Sequence, residues 1–401
     1  MGSPGFQHAA GLLKRQPSVV LLSVIACFNT AASACPFCGP VAEPLASRRA
    51  RSTTVAVAET LGPAVTAVDG RRRQPLTIIS TVTAPAAGSQ LIPADPNQPP
   101  VQAAVTDDFT GTALLFQSQA GDWQALAADE LLIGYCLAAP PLREQPIAAV
   151  GRLRWFARWL EHPNATIAAD AYAEFAVAPF TTVRDAAGAF TADRLAAWVT
   201  TASIDQQRRG LYGLAAGLVA RQRTGQDAER CRQALLKAVS APASSDFRAG
   251  FDGLLAGLFV ALGRNALPVI ESLGLLEPNA SPVDQRHLLQ ALRFCWEEPA
   301  ETLPQAAVVT ATRRLLASAN LAREAVIDLA RYQAWDACGD VATLWDTSDD
   351  ADSLLRTAVV GFLLACPTPA AKQTLERLQQ QDATAFEAAV KAARLPLPAA
   401  G

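Results

Sequence analysis

Two cysteines, Cys35 and Cys38, lie three positions apart in the stretch ACPFCGP. Such a pair can act as a thiol-disulfide redox couple, as half of a zinc site, or in a structural disulfide. A thioredoxin-type pair begins a helix after a strand, whereas only an apolar run precedes this one. A closed zinc site needs four ligands, and no second close cysteine pair follows. We therefore expect a structural disulfide, within the pair or to Cys136, and keep a redox role for Cys35 and Cys38 as the alternative.

The residues before this pair have the pattern of a secretory signal peptide. Lys14 and Arg15 precede an apolar run, and the small-residue site Ala32-Ser33-Ala34 follows it. This predicts a signal peptide over residues 1–34, cleavage after Ala34, and export to the periplasm or the extracellular space. The apolar run is too short for a membrane span, so we expect no transmembrane helix in the mature chain. Ala32 stands where lipoprotein signals favour leucine, which argues against lipidation of Cys35.

The other groups that could do chemistry are few. Cys231, Cys295, Cys338 and Cys366 lie among apolar residues in helical patterns, which predicts buried free thiols. Beyond the signal peptide only His162 and His287 remain as histidines, too few for a histidine-rich metal site and without a nucleophile motif nearby. We therefore predict no catalytic residue, no metal and no cofactor.

Asp170 and Glu174 are four residues apart, which places both carboxylates on one face of a predicted helix. Paired carboxylates can act as general acid and base. Arginines on a neighbouring helix explain such a pair more simply, and Arg152 and Arg154 are the candidates. We expect the pair to be structural.

The charge balance gives no reason to expect a nucleic-acid partner. Lys and Arg number 34 against 37 Asp and Glu, so there is no strong summed positive field. Two arginine clusters, 48–51 and 71–73, lack the interleaved aromatic residues that stack on bases. We expect both clusters to lie in solvated loops.

Residues 52–142 have a strand-like pattern. Four short apolar or β-branched runs, STTVAVAETL, PLTIISTVTA, GTALLFQS and ELLIGYCLA, alternate with segments rich in Gly, Pro, Asp and Asn. The proline-rich piece from Ala84 to Pro100 is expected to be a long surface loop. This predicts a small β-rich domain, a barrel or a sandwich, after a cysteine-pair segment at 35–51.

Residues 145–395 have a helical pattern, and residues 396–401 form a tail. Segments of Ala, Leu, Arg and Gln carry apolar residues at helical spacing and are separated by Gly, Pro or Asp. The stretch LRTAVVGFLLACPTPAAKQTLERLQQQDATAFEAAVKAA resembles a HEAT-type repeat, in which each helical unit buries its apolar face against its neighbours. The fold class is therefore α+β: a β-rich domain followed by a mostly helical, HEAT-like solenoid.

The chain also resembles an uncharacterised family of exported planctomycete-type bacterial proteins. The resemblance is carried by SACPFC, GDW with GYC, DAYAEFA, IDLARYQAWD and AVVGFLLACPTPAA. It implies an exported location and this two-part architecture, and it names no catalytic residue. The first half is also similar to the OB-like barrel of netrin-type and metalloproteinase-inhibitor domains, although the spacing of the later cysteines departs from that pattern.

These observations favour a non-enzymatic cell-envelope protein that binds or scaffolds another protein or an extended cell-envelope ligand. The alternative is a thiol-disulfide redox protein that uses Cys35 and Cys38. A hydrolase with an unrecognised site in the cleft between the two halves is a further hypothesis.

Overall fold

A computed structural model describes residue 37 and residues 41–82, 90–142, 145–242, 248–347 and 352–394. All of them belong to one compact unit. The predicted signal peptide, Cys35, Cys38 and the tail lie outside the described residues.

The β-rich part consists of seven strands in the described residues. They are β1 (Thr54–Thr60), β2 (Val65–Thr66), β3 (Arg72–Val82), β4 (Leu91–Pro93), β5 (Val101–Ala104), β6 (Thr112–Gln117) and β7 (Trp123–Ala127). Five of them close into a barrel in the order β1-β3-β5-β7-β6 and back to β1. The β5–β7 pair is parallel and the other four pairs are antiparallel. The two shortest strands, β2 and β4, add to β3 as hairpins.

Strands β1 and β6 are buried on both faces. Ala56, Ala58, Ala113 and Leu115 point into the barrel and form its interior with Leu76, Ile78 and Ala103. The alternate residues Val55, Val57, Leu114 and Phe116 point outwards and belong to the same apolar core as the helices. This explains why both strands are apolar throughout instead of alternating with polar residues.

Two expectations for this half are wrong. ELLIGYCLA is helix α2 (Glu130–Ala138), because Asp129 caps its N-terminus: the Asp129 carboxylate accepts a bond from the Leu132 N–H at 2.7 Å. A short apolar run does not distinguish a buried helix from a strand. The proline-rich segment is not a plain loop either, since Leu91–Pro93 within it pairs with residues 80–82.

The other helices precede or follow the barrel. They are α1 (Leu45–Arg51), α3 (Pro146–Phe156), α4 (Ala165–Ala176), α5 (Phe180–Ala186), α6 (Ala192–Thr200), α7 (Gln206–Gln222), α8 (Gly225–Ser240), α9 (Phe251–Leu262), α10 (Leu267–Ser272), α11 (Pro282–Glu297), α12 (Gln305–Arg314), α13 (Ala322–Arg331), α14 (Cys338–Thr347), α15 (Ser353–Ala365), α16 (Pro369–Gln381) and α17 (Ala383–Ala393). The α+β class, with a small closed barrel followed by a largely helical region, is confirmed.

Many helices pack against the next helix but one. This holds for α6 with α8, α7 with α9, α9 with α11, α13 with α15, and α15 with α17. Sequential neighbours such as α7 and α8 also pack together.

The tightest of these contacts joins the backbones of α7 and α9. A Cβ atom added to Gly257 would lie 2.0 Å from the carbonyl oxygen of Gly213, and one added to Gly253 would lie 2.3 Å from that of Gly210. Only glycine permits this approach. Among the described residues, the run Phe251–Ser272 is long and apolar enough to span a membrane, and 56% of its apolar window is buried. Core packing against α7 accounts for that composition.

Candidate functional site

Residue Phe37, between the two cysteines of the CPFC stretch, is buried among the helices. Its side chain is 5% exposed, and its ring lies 5.1 Å from that of Phe294 on α11. Phe180 on α5 packs on the other side of Phe294, with ring centroids 5.0 Å apart. A Cβ on Gly210 would come within 3.0 Å of the Phe37 carbonyl oxygen. Phe37 is therefore anchored to the helical region.

Cys136 is a buried, free thiol on α2, with 1% exposure. Burial raises the pKa of this thiol to about 11, so it is protonated at neutral pH. Nucleophilic cysteines need the thiolate and therefore a lowered pKa. A bridge from Cys136 to Cys35 or Cys38 stays a prediction, since both of those residues lie outside the described part of the chain.

The expectation that both arginine clusters lie in loops is wrong, because residues 48–51 belong to helix α1 and residues 72–73 to strand β3. Arg49 is the buried arginine of α1. It is 2% exposed, and its guanidinium donates to the carbonyl oxygens of Cys136 and Ala139, the latter at 2.8 Å. These carbonyls end α2, where the helix itself supplies no donors. Arg49 therefore caps α2, and desolvation lowers its pKa.

Four other arginines of the two clusters also contact side chains of this chain. Arg48 lies over the ring of Phe116 at 5.9 Å, and Arg51 pairs with Glu43. Arg72 and Arg73 pair with Asp108 and Asp69 at 2.6 and 2.8 Å. These contacts leave little free positive surface for a phosphate backbone.

Asp170 fixes α1 and α2 to α4. One of its oxygens accepts a bond from the Leu45 N–H at 2.6 Å, and the other accepts one from the Tyr135 hydroxyl at 2.7 Å. Burial raises the pKa of Asp170, although both bonds oppose the shift. Burial also raises the pKa of Tyr135, with Asp170 adding to the effect.

Glu174 pairs with Arg152, one of the two arginines expected from the sequence. The Glu174 side chain is fully buried, and burial raises its pKa to about 7, while the Arg152 guanidinium acts in the opposite direction. A catalytic acid or base must reach its substrate, whereas Glu174 is closed off and Asp170 is 8% exposed. The structural interpretation of this pair therefore agrees with its geometry.

The two histidines have local contacts. His162 accepts a bond from the Asn164 N–H at 3.1 Å through Nδ1 and packs beside Trp159. His287 lies with its Nδ1 3.7 Å from Asp252 and its ring edge-on to Phe251. Within the ranges that the structure describes, no group of three or more His, Cys, Asp and Glu side chains could hold a metal ion.

A concave surface lies between α10, α12 and α14 and is called here the α10–α14 groove. Two cavities of about 430 and 290 Å³ form it and share Leu276 and Arg314. Its apolar floor includes Leu276, Leu316 and Ala311, all buried. Its rim carries Arg264, Glu271, Glu277, Arg313, Arg314 and Asp340.

Ion pairs organise the rim of the groove. The Arg314 guanidinium joins Glu271 at 2.6 Å and Glu277 at 3.1 Å. Arg313 joins Asp336 at 2.8 Å and Asp340 at 2.5 Å. These contacts connect α12 with α10, with the segment after it and with α14. Sequence reasoning missed the groove, because its walls come from three helices and only the adjacent arginines at the end of α12 gave a local signal.

Comparison with known proteins gives no match, either to a protein-family model or to a curated protein. The function is therefore inferred from the contacts and cavities of the described residues.

Proposed function

We propose that this protein is an exported, non-enzymatic binding module that holds an extended segment of another protein in the α10–α14 groove. The observation that carries the proposal is the groove itself: two joined cavities with an apolar floor and a charged rim. Apolar centres with polar rims are typical of protein interfaces.

The architecture supports a scaffold of this kind. The next-but-one packing of the helices favours a HEAT-like solenoid, in which stacked helix pairs create elongated binding surfaces. The strand order β1-β3-β5-β7-β6 in a closed barrel favours an OB-like barrel for the first part.

The charges of the groove favour a protein segment over a polyanion. Three arginines, Arg264, Arg313 and Arg314, stand among four carboxylates, Glu271, Glu277, Asp336 and Asp340. Such a mixed rim repels nucleic-acid phosphates about as much as it attracts them. A peptide presents both signs and backbone groups, so it can exchange bonds with these ion pairs while its apolar side chains occupy the floor.

The pKa values and burial of the described side chains support a non-enzymatic protein. The thiols of Cys136 and Cys231 have pKa values raised to about 11, and that of Cys295 is raised to about 12, in each case mainly by burial. Glu174, whose pKa is near neutrality, is fully buried. Perturbed groups at enzyme sites are instead exposed to a cleft.

Peptide selection tests the groove. Peptides selected from a random display library on the purified protein should lose at least tenfold in affinity when Ala317, an exposed residue of the larger cavity, is replaced in Ala317→Trp. Ala319→Trp is the matched control, because Ala319 is exposed and lines neither cavity. Equal loss in both variants, or no peptide enriched above background, would contradict the proposal.

Export and the redox alternative are tested by the intact mass of the mature protein after thiol alkylation, with and without reductant. A chain that begins at Cys35 supports export. A disulfide that a glutathione buffer does not open supports a structural role for Cys35 and Cys38. Ready alkylation of both thiols favours the redox protein, and a lipid-sized mass increment indicates an anchor on Cys35.

A further inference from the structure

Two further cysteines lie at one buried junction of three helices. Cys338 is the first residue of α14, and Cys366 follows the last residue of α15. They are 7% and 4% exposed. Thr368, which caps the N-terminus of α16, lies beside them.

Three side chains meet at this junction. The Cys366 Sγ lies 3.2 Å from the Thr368 Oγ1. Cys366 and Thr368 both act on the pKa of Cys338, which places the three side chains beside one another. Both cysteines are free in the structure. A disulfide needs Cα atoms within about 7 Å of each other, and side chains that adjoin at one helix junction meet that requirement.

We propose that Cys338 and Cys366 form a disulfide that links the start of α14 to the end of α15. One thiolate attacks a sulfur of a disulfide-bearing oxidant and releases one thiol of that oxidant. The second cysteine then attacks the mixed disulfide, forms the Cys338–Cys366 bond and releases the second thiol. The chain loses two electrons and two protons, and the oxidant is reduced to a dithiol or to two thiols.

Burial determines when this bond forms. Desolvation and the neighbouring Cys366 raise the pKa of Cys338, so little thiolate is present in the folded protein. Exchange is therefore slow once the helices have packed, and the bond closes while the chain folds. An oxidising compartment supplies the oxidant, so the occurrence of this bond in the cell depends on the proposed export.

The position of the bond relates it to the groove. Helix α14 carries Asp340, Thr343 and Leu344, which line the larger cavity. A disulfide at its first residue would fix this wall against α15.

The test is a peptide map of the purified full chain, which does not depend on export or on any groove ligand. Protein refolded with oxidised glutathione, then unfolded and alkylated without reduction, should yield the Cys338 and Cys366 peptides joined and lighter by two hydrogen atoms. The same protein refolded in dithiothreitol should carry two alkylated thiols. The oxidised form should melt on the order of 5 °C higher, because the bond restricts the unfolded chain.

Single variants identify the pair. Cys338→Ser should leave Cys366 open to alkylation, Cys366→Ser should do the converse, and Cys231→Ser should retain the link. Alkylation of both thiols in the wild-type protein after oxidative refolding would overturn the proposal, as would a map that joins either cysteine to a different partner. These two results are obtained with the wild-type chain, so the test stands even if a variant fails to fold.

Discussion

Two carboxyl groups one helical turn apart on α4 are buried in different ways. Asp170 accepts bonds from a backbone N–H and a tyrosine hydroxyl, while Glu174 faces the Arg152 guanidinium. A buried charge is tolerated when it is paired or hydrogen-bonded. Both nevertheless have raised pKa values, because desolvation outweighs their partners.

Stability should therefore depend on pH through Glu174. Its pKa rises from 4.5 in the unfolded chain to about 7 in the fold, so the folded state binds the proton more tightly. The stabilisation of the folded state by this tighter proton binding is fully present below pH 4.5 and is lost as the pH rises through 7. The shift corresponds to about 3 kcal/mol of unfolding free energy across that window.

Urea unfolding at pH 5 and pH 8 measures this dependence. The decrease in stability between these values should be smaller in Glu174→Gln by roughly 2 kcal/mol or more, since the amide does not titrate. Asp129→Asn is the comparison, because Asp129 caps α2 in contact with solvent. If Glu174→Gln has the same pH dependence as the wild type, the assigned pKa is wrong.

The CPFC segment should depend on Phe37 for its anchorage. Phe37→Ala removes a buried ring from between α7 and α11, and such truncations cost about 3 to 5 kcal/mol. Phe37→Leu fills most of the same space and should cost less than about half of that. Denaturant unfolding measures both. A Phe37→Ala variant as stable as the wild type would show that the segment does not dock.

Sequence reasoning could predict some of these residues. The i,i+4 spacing of Asp170 and Glu174 predicted partners among Arg152 and Arg154, which is confirmed for Glu174 with Arg152. Asp170 instead accepts bonds from a backbone N–H and a tyrosine hydroxyl. The Phe37 contacts left no local signal, because Phe180 and Phe294 are distant in sequence. The burial of Arg49 was also missed, because its partners are backbone carbonyl groups, which every residue has.

Helices α7 and α9 pack together through two matching sets of glycines. Each set has the spacing G-x-x-G-x-x-x-G, at Gly210, Gly213 and Gly217 and at Gly250, Gly253 and Gly257. The stretches GLYGLAAG and GFDGLLAG carry this spacing, and the sequence reasoning did not detect their likeness.

Gly257→Ala should destabilise the protein strongly. The new methyl group would lie 2.0 Å from the Gly213 carbonyl oxygen, so the helices must separate. Overpacking of a core costs about 1 to 3 kcal/mol, and a backbone contact places this variant at or above the upper end. The control is Gly151→Ala at an exposed position of α3. Its methyl group meets nothing within 4 Å, so it should be neutral or stabilising by up to about 1 kcal/mol. Thermal unfolding compares them, and equal melting temperatures would contradict the close approach.

The helices of the second half were predictable because their apolar periodicity is long. ATIAADAYAEFA, for example, coincides with α4. The error at α2 has a physical origin: its nine residues include the buried Leu132, Ile133, Tyr135 and Cys136, and almost all of the run is apolar. Such a run has no clear period to read.

At the scale of the whole molecule, the barrel and the helices share one core. Val55, Val57, Leu114 and Phe116 leave the barrel wall and pack with the helical residues. The barrel interior alone is small and consists mainly of alanine. A core of that size supplies little stability without further support.

The two parts should therefore unfold together. Amide hydrogen exchange at increasing denaturant should give β1, β6 and α7 the same free energy of opening. Strand β4, whose three residues are all exposed, should exchange earlier and serves as the internal reference. Opening of β1 and β6 at a clearly lower free energy than α7 would show that the barrel is an independent unit.

The anchorage of Phe37 also has a consequence for how the chain matures. Phe37 is made early, whereas Phe294, against which it packs, is made far later in synthesis. At ordinary elongation rates the interval is on the order of 10 to 50 s. During that time the socket of Phe37 is incomplete, because α11 has not yet been made. Phe37 therefore docks only after α11 has emerged.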